Sequence, residues 1–230
     1  MKDIEKFVFI VGWPRTGHTL IRDILNLHSN MMFGSEGYDV LKVIPNKNKL
    51  FEDIELKSKK SGGNNGLFYN NNLTIDNTKI MGIQCLNTVL MMYKMRDFQK
   101  IIDIPIKIIV CVRNPFDVIS SMGMFYKKHN SIEFFKRILK NIYLGMNEYE
   151  YYVHYYESFV KNPYFNLEKI LNFLEIKYDD GYLIHSASLV EKNKPERRYE
   201  KKWIYDDIKK IYMIIENNRI FDRYKWGKVL

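Results

Sequence analysis

Gly12-Trp13-Pro14-Arg15-Thr16-Gly17-His18-Thr19 joins two segments of different periodicity. Before it, Phe7-Val8-Phe9-Ile10-Val11 is a continuous apolar run of strand length. After it, the apolar residues from Leu20 to Leu27 recur at helical spacing. The order is therefore strand, tight turn, helix. Glycines at 12 and 17 let the backbone curl so that successive N–H groups face one concavity, and the helix beginning near His18 aims its dipole there. Such a concavity binds phosphate.

The spacing is that of the nucleotide-binding loop G-x-x-x-x-G-K-[ST], with His18 in the place of the lysine. His18 either donates to a bound phosphate or simply starts the helix, and its position alone does not choose between the two.

Outward from this loop the chain alternates strands with helices. Met31-Met32-Phe33 reads as a second strand closed by Gly34-Ser35-Glu36-Gly37, which places Glu36 in a loop at a strand end, and 38–45 reads as a short helix. The stretch 46–77 is polar, broken by Ser61-Gly62-Gly63-Asn64-Asn65-Gly66 and Asn70-Asn71-Asn72, and is expected to be a mobile insertion, either a lid or a disordered segment. Lys79 to Gln84 reads as a strand and Asn87 to Ile101 as a helix. Ile106 to Val112, almost unbroken in apolar character, suits a strand of a parallel sheet covered on both faces. It ends at Arg113-Asn114-Pro115, where Pro115 suits the first turn of a helix running to Met122.

A longer helix is expected over Ile132 to Glu148, a last strand over Tyr151 to Tyr156, and a helix opening at Asn162-Pro163. A loop is expected over 178–202 and a final amphipathic helix from Asp206 to Asn217. Strands alternating with helices predict an α/β, three-layer P-loop-like fold: a central, mainly parallel sheet flanked by helices. Ligands in such folds bind at the carboxyl ends of the strands.

At 230 residues, 46% of them hydrophobic and 15% aromatic, the chain is expected to form a single domain with a sizeable core. Its formal charge of +9, from 36 basic and 27 acidic residues, favours anionic ligands. Cys85 and Cys111 lie inside apolar runs with no Cys or His at metal-ligand spacing, and read as core residues rather than a zinc or disulfide pair. No apolar run approaches the roughly 18 residues that span a bilayer. The expected location is cytoplasmic, and the sequon at Asn72 carries no weight there.

Three elements fall at strand ends: the 12–19 loop, Arg113 to Ser121, and Tyr156-Glu157-Ser158. Together they resemble the sulfotransferase superfamily, whose members move the sulfuryl group of 3′-phosphoadenosine 5′-phosphosulfate (PAPS) to an acceptor. The family loop P-[KR]-[ST]-G-[ST]-[ST] is met by Pro14-Arg15-Thr16-Gly17-His18-Thr19 except at His18. The family's 3′-phosphate motif R-[ND]-x-x-D-x-x-x-S is met by Arg113, Asn114, Asp117 and Ser121. A third segment is met by Tyr156-Glu157-Ser158, Asn162-Pro163 and Phe173-Leu174.

Within the superfamily the chain is most similar to the branch holding protein-tyrosine and bacterial carbohydrate sulfotransferases, through Pro14 to Leu20, His28-Ser29 and Gly34-Ser35-Glu36. The resemblance implies a cofactor set of Arg15, Thr16, Gly17, His18, Thr19, Arg113 and Ser121, with Tyr156 near the adenine and Lys194, in a basic stretch, on a phosphate. It implies Glu36 as catalytic base with Arg15 beside the reacting group, PAPS as donor and 3′-phosphoadenosine 5′-phosphate (PAP) as product. The acceptor is expected to be a glycan or other hydroxylated small molecule, with peptidyl tyrosine a second choice. No metal and no nucleic-acid partner are expected. Relatives that carry a lysine on the strand before the central one have their counterpart here in either Gln84 or Lys79.

The chemistry asks for these residue types independently. Sulfuryl transfer leaves a phosphate behind, so donors are needed where charge develops, and an acceptor hydroxyl needs its proton taken. Two other readings stand beside this one. A small-molecule kinase would use the same loop, but lacks the loop lysine and has Arg113 where a magnesium-binding aspartate would end the strand. A nucleic-acid module would need a recognition motif, and none is evident.

Overall fold

A computed structural model describes residues 4–34, 47–60, 77–84, 95–125, 131–192 and 205–225. Its centre is a five-stranded sheet of β1 (Lys6–Gly12), β2 (Met31–Gly34), β3 (Ile80–Gln84), β4 (Ile106–Val112) and β5 (Glu150–Tyr155). The spatial order is β2-β3-β1-β4-β5, and every pairing is parallel. The near-continuous apolar runs of β1 and β4 are the sequence form of strands buried on both faces.

Alternation along β1 divides the core in two. Phe7, Phe9, Val11 and Trp13 point into one layer, with Ile108, Val110 and Val112 of β4. That layer is closed by α2 (Lys47–Lys60), α3 (Met95–Ile102), α4 (Pro115–Phe125), α5 (Ser131–Glu148) and α9 (Tyr205–Glu216). Val8 and Ile10 point the other way, with Ile109 and Cys111. There they meet α1 (His18–Leu25), α6 (Tyr156–Lys161), α7 (Pro163–Leu174) and α8 (Asp180–Lys192). A 3₁₀ turn, Arg219–Tyr224, ends the described chain and buries Ile220, Phe221 and Tyr224 in the first layer.

The helix after β1 therefore packs on one face and the helix after β4 on the other, although β1 and β4 are neighbours. This is a topological switch point, and it opens a crevice at the carboxyl ends of those two strands. The 12–19 loop forms one lip and Arg113-Asn114 the other.

The opposite edge of the sheet is built for stability. Lys107 interrupts the apolar run of β4, yet it is buried. Its Nζ donates to the Phe173 carbonyl at 2.8 Å and pairs with Glu150 at 3.1 Å and Glu175 at 3.2 Å. Lys6 donates to the Leu174 carbonyl at 3.1 Å. Two lysines thus take carbonyls that the last turn of α7 leaves open, where the helix dipole favours positive charge. Glu175, in the left-handed region at φ 53°, ends that helix, and these lysines hold its carboxyl below the usual range.

Two stretches depart from the expected pattern. Within the polar insertion expected over 46–77, Lys47–Lys60 is a helix, because Leu50, Phe51 and Ile54 form a narrow apolar stripe that packs into the first layer. Within the expected 178–202 loop, Asp180–Lys192 is also a helix, seated through Leu183, Ala187 and Val190. Smaller shifts are at boundaries: Tyr156 begins α6 rather than ending β5, and α4 runs to Phe125. The expected helix at 38–45, the first half of that at 87–101, and Cys85 lie outside the described residues. Among the described residues no helix is long and apolar enough to cross a membrane.

Candidate functional site

The loop is held from below. Trp13 is fully buried, its ring stacked on Phe135 at 4.5 Å and 13°, and its Nε1–H donates to the Phe135 carbonyl at 3.0 Å. Phe221 packs on the same indole at 5.6 Å. Above this anchor the chain turns sharply. Arg15 has φ 70° and Gly17 φ 84°, and the Thr16 hydroxyl donates back to the Trp13 carbonyl at 2.7 Å. Gly12 makes room for that turn, since a Cβ there would lie 2.7 Å from Thr16 Oγ1 and 2.6 Å from the Cys111 carbonyl.

Gly17 is the N-cap of α1 and has no side chain with which to occupy the first amides of the helix. Those amides and the positive end of the helix dipole face the crevice, which is the arrangement that binds phosphate oxygens. His18 opens the helix, buried, with Nδ1 3.4 Å from Thr16 Oγ1. Thr19 follows, half-exposed, and Arg15 is exposed at the mouth of the loop.

Across the crevice, Arg113 leaves the end of β4. One guanidinium nitrogen donates to the Arg15 carbonyl at 3.2 Å and the other to Asp117 at 3.3 Å, so Asp117 is a partner of the arginine. The guanidinium lies 4.7 Å over the ring of Tyr156. Its Nε is buried with no hydrogen-bond partner, and so is the Ser121 hydroxyl two turns along α4. Buried donors are normally paired. Arg113 Nε, at the end of β4, and Ser121 Oγ, along α4, are two buried donors left open on this side of the crevice.

Tyr156 ties the two lips together. Its ring sits under Arg113 and against Gly17, where a Cβ would come within 2.5 Å of the ring. The next residue, Glu157, accepts the Asn114 backbone N–H at 2.8 Å and the Tyr224 hydroxyl. The Tyr224 phenol is pushed up, first by burial and then by the neighbouring carboxylate, so it stays protonated and donates.

Of the two candidates on β3, Gln84 lies at the carboxyl edge, fully buried, and accepts from Arg22 at 3.2 Å. Lys79 lies at the opposite edge and pairs with exposed Glu5 at 2.8 Å, a strand's length away. Arg22 also donates to Asp23 Oδ1 at 2.8 Å. Burial raises the Asp23 carboxyl, and the arginine beside it opposes that. This buried pair next to Gln84 carries no signal in sequence spacing.

The structure thus brings together Arg15, Thr16, Gly17, His18 and Tyr156 with Arg113, and sets Ser121 along α4 from the arginine. Glu36 and Lys194 lie outside the described residues. Sequence reasoning missed Trp13 as the anchor and Glu157 with Tyr224 as a support. Trp13 lies inside the 12–19 loop and Glu157 directly follows Tyr156, and that placement is the signal that could have found them.

His28 and His154 are packing residues. His28 Nδ1 accepts the Asn30 N–H at 3.1 Å and Nε2 donates to the Lys177 carbonyl at 2.9 Å; burial lowers its pKa. His154 is wholly buried against Phe159, and both of its nitrogens are without a partner. Burial likewise pushes up the Cys111 thiol beside it in the sheet.

Three solved structures share this architecture. The sulfotransferase domain of the Synechococcus PCC 7002 olefin synthase superposes with a TM-score of 0.55 at 16% identity, covering 93% of this chain and 96% of that one. Sulfotransferase STF9 of Mycobacterium avium gives 0.59 at 9% identity over 94% of this chain and 77% of its own. Mouse sulfotransferase SULT7A1, solved in complex with PAP, gives 0.55 at 16% identity over 96% and 89%. At such identities the likeness is one of fold. No curated protein matches by sequence. The family model for the sulfotransferase domain matches residues 5–220, which takes in the loop and the Arg113 turn and ends at the start of the 3₁₀ turn. With nearly the whole chain inside that match, and an α/β sheet whose switch point carries the 12–19 loop, the protein belongs to the sulfotransferase domain family.

Proposed function

We propose that this enzyme transfers the sulfuryl group of PAPS to a hydroxyl of a glycan or other small hydroxylated acceptor. The carrying observation is the pair of buried, unpartnered donors, Arg113 Nε and Ser121 Oγ, across the switch-point crevice from an N-terminal helix end capped by glycine. A ligand with anionic groups at two separated positions suits that arrangement, and the PAP complex of the mouse neighbour is consistent with it.

PAPS, when bound, supplies an activated sulfuryl group attached to a phosphate that leaves. In this assignment the α1 amides, the Thr16 and Thr19 hydroxyls, His18 and Arg15 hold the 5′ side, with Gly17 giving the backbone its approach. Arg113 and Ser121 hold the 3′-phosphate, Tyr156 flanks the adenine, and Lys194 adds positive charge. Arg15, exposed at the mouth, is placed to stabilise charge as it develops. Gln84, rather than Lys79, lies on the side of the sheet where it can face the reacting group.

Glu36 is assigned the acceptor's proton. The basis is its family position and the place where β2 ends, at Gly34 on the carboxyl edge of the sheet. Its test is Glu36→Gln, which should lower kcat by roughly 10²–10⁴, the usual worth of a general base, while PAP affinity stays as in the wild type. Retained turnover would remove Glu36 from that role.

A further inference from the structure

The turn that carries Arg113 is held by a group outside the proposed ligand set. Pro115 has no N–H to give, and that of Phe116 goes to the Asn114 side chain at 3.0 Å. This leaves the Asn114 N–H to tie the turn to another element, and Glu157 Oε1 accepts it at 2.8 Å. A carboxylate on a backbone amide is a charge-assisted bond, stronger than a neutral one. The other carboxylate oxygen is occupied by the Tyr224 hydroxyl.

Tyr224 is itself fixed by the C-terminal 3₁₀ turn. Phe221 of that turn packs on Trp13, and Arg223 donates to Ser158 and lies 4.6 Å over the ring of Tyr155. Arg113's own bonds, at 3.2 and 3.3 Å, are long by comparison, so the backbone that carries it does much of the aiming.

We infer that Glu157 and Tyr224 form a positioning pair for Arg113. Through the Asn114 amide, the C-terminal turn sets the angle at which the guanidinium meets the 3′-phosphate. Selectivity for a 3′-phosphorylated adenosine nucleotide then depends on a contact with residues 219–224. The inference rests on the assignment of Arg113 to that phosphate.

The test compares two probes that differ only in that group, PAP and adenosine 5′-monophosphate, by calorimetry with competition for the weaker ligand. Wild type should prefer PAP. Tyr224→Phe and Glu157→Ala should each weaken PAP by roughly tenfold, the scale of one hydrogen bond to a charged group, and leave the monophosphate unchanged. Glu157→Gln, whose amide oxygen still accepts the Asn114 N–H, should restore most of the preference. A structural role alone would weaken both ligands alike. That result, or a Tyr224→Phe protein with wild-type preference, overturns the inference, and Tyr224→Phe answers it even where Glu157→Ala fails to fold. A wild-type protein that does not prefer PAP would instead overturn the 3′-phosphate assignment itself, so the two failures are told apart by the wild type.

Discussion

The ring of Tyr156 fills the space that a side chain at position 17 would need: a Cβ on Gly17 would lie 2.5 Å from Tyr156 Cδ2. One residue from the loop and one from the β5–α6 junction are thus fitted to each other. Gly17 also has φ 84°, which other L residues adopt at a cost. Gly17→Ala meets both penalties. It should lower stability by about 1–3 kcal/mol, the scale of one strained backbone position, and should weaken PAP as the ring is pushed toward Arg113. Urea unfolding and PAP titration of the one variant check both halves, and a variant that binds PAP as wild type does would separate Tyr156 from the site.

Arg113 and Ser121 make opposite demands on stability and binding. Arg113→Ala should raise the Kd for PAP by roughly 10- to 150-fold, as expected for loss of a charged hydrogen-bonding group worth about 1.5–3 kcal/mol. Ser121→Ala removes a buried hydroxyl that has no partner in the free protein. The ligand-free variant should therefore melt no lower than wild type while binding PAP several-fold more weakly. A lower melting point with unchanged affinity would make Ser121 a packing residue only.

Acid should find His154. Burial pulls its pKa down to about 3, whereas in the unfolded chain it titrates near the ordinary value of about 6.5. Above the unfolded value both states are neutral and the residue contributes nothing to the pH dependence. As pH falls below it the unfolded chain takes up a proton that the folded one does not, so stability is lost down to the folded value, at up to about 1.4 kcal/mol per pH unit. His154→Phe should flatten the stability curve in that window relative to wild type. His28 is present in both proteins and cancels in the comparison, so parallel curves would contradict the account.

Much of this site was legible because its signals are local. Phe7 to Val11 and Ile106 to Val112 are apolar without interruption, and in an α/β chain only strands covered on both faces look like that. Gly12 and Gly17 flag the loop by their spacing, and Arg113 stands at the end of a strand that can be read unaided. The α2 and α8 helices were not legible. Each buries three apolar residues on a narrow stripe, Leu50, Phe51 and Ile54 or Leu183, Ala187 and Val190, among lysines, serines and glycines that read as loop.

The supports were hidden for a different reason. Trp13 finds its partner in Phe135 and Glu157 finds Tyr224, and contacts between residues so far apart leave no periodicity to detect. Lys107 shows the same limit in reverse. A charge inside a strand pattern looks like a fault until the open carbonyls of α7 are seen beside it.

The central claim is that the crevice between β1 and β4 takes a 3′-phosphorylated adenosine nucleotide, and thermal unfolding tests it most directly. PAP at a thousand times its Kd should add about 4 kcal/mol, raising the midpoint of a chain this size by roughly 8–16 °C, without magnesium. A shift with ATP and magnesium but none with PAP, or none with either, would contradict it.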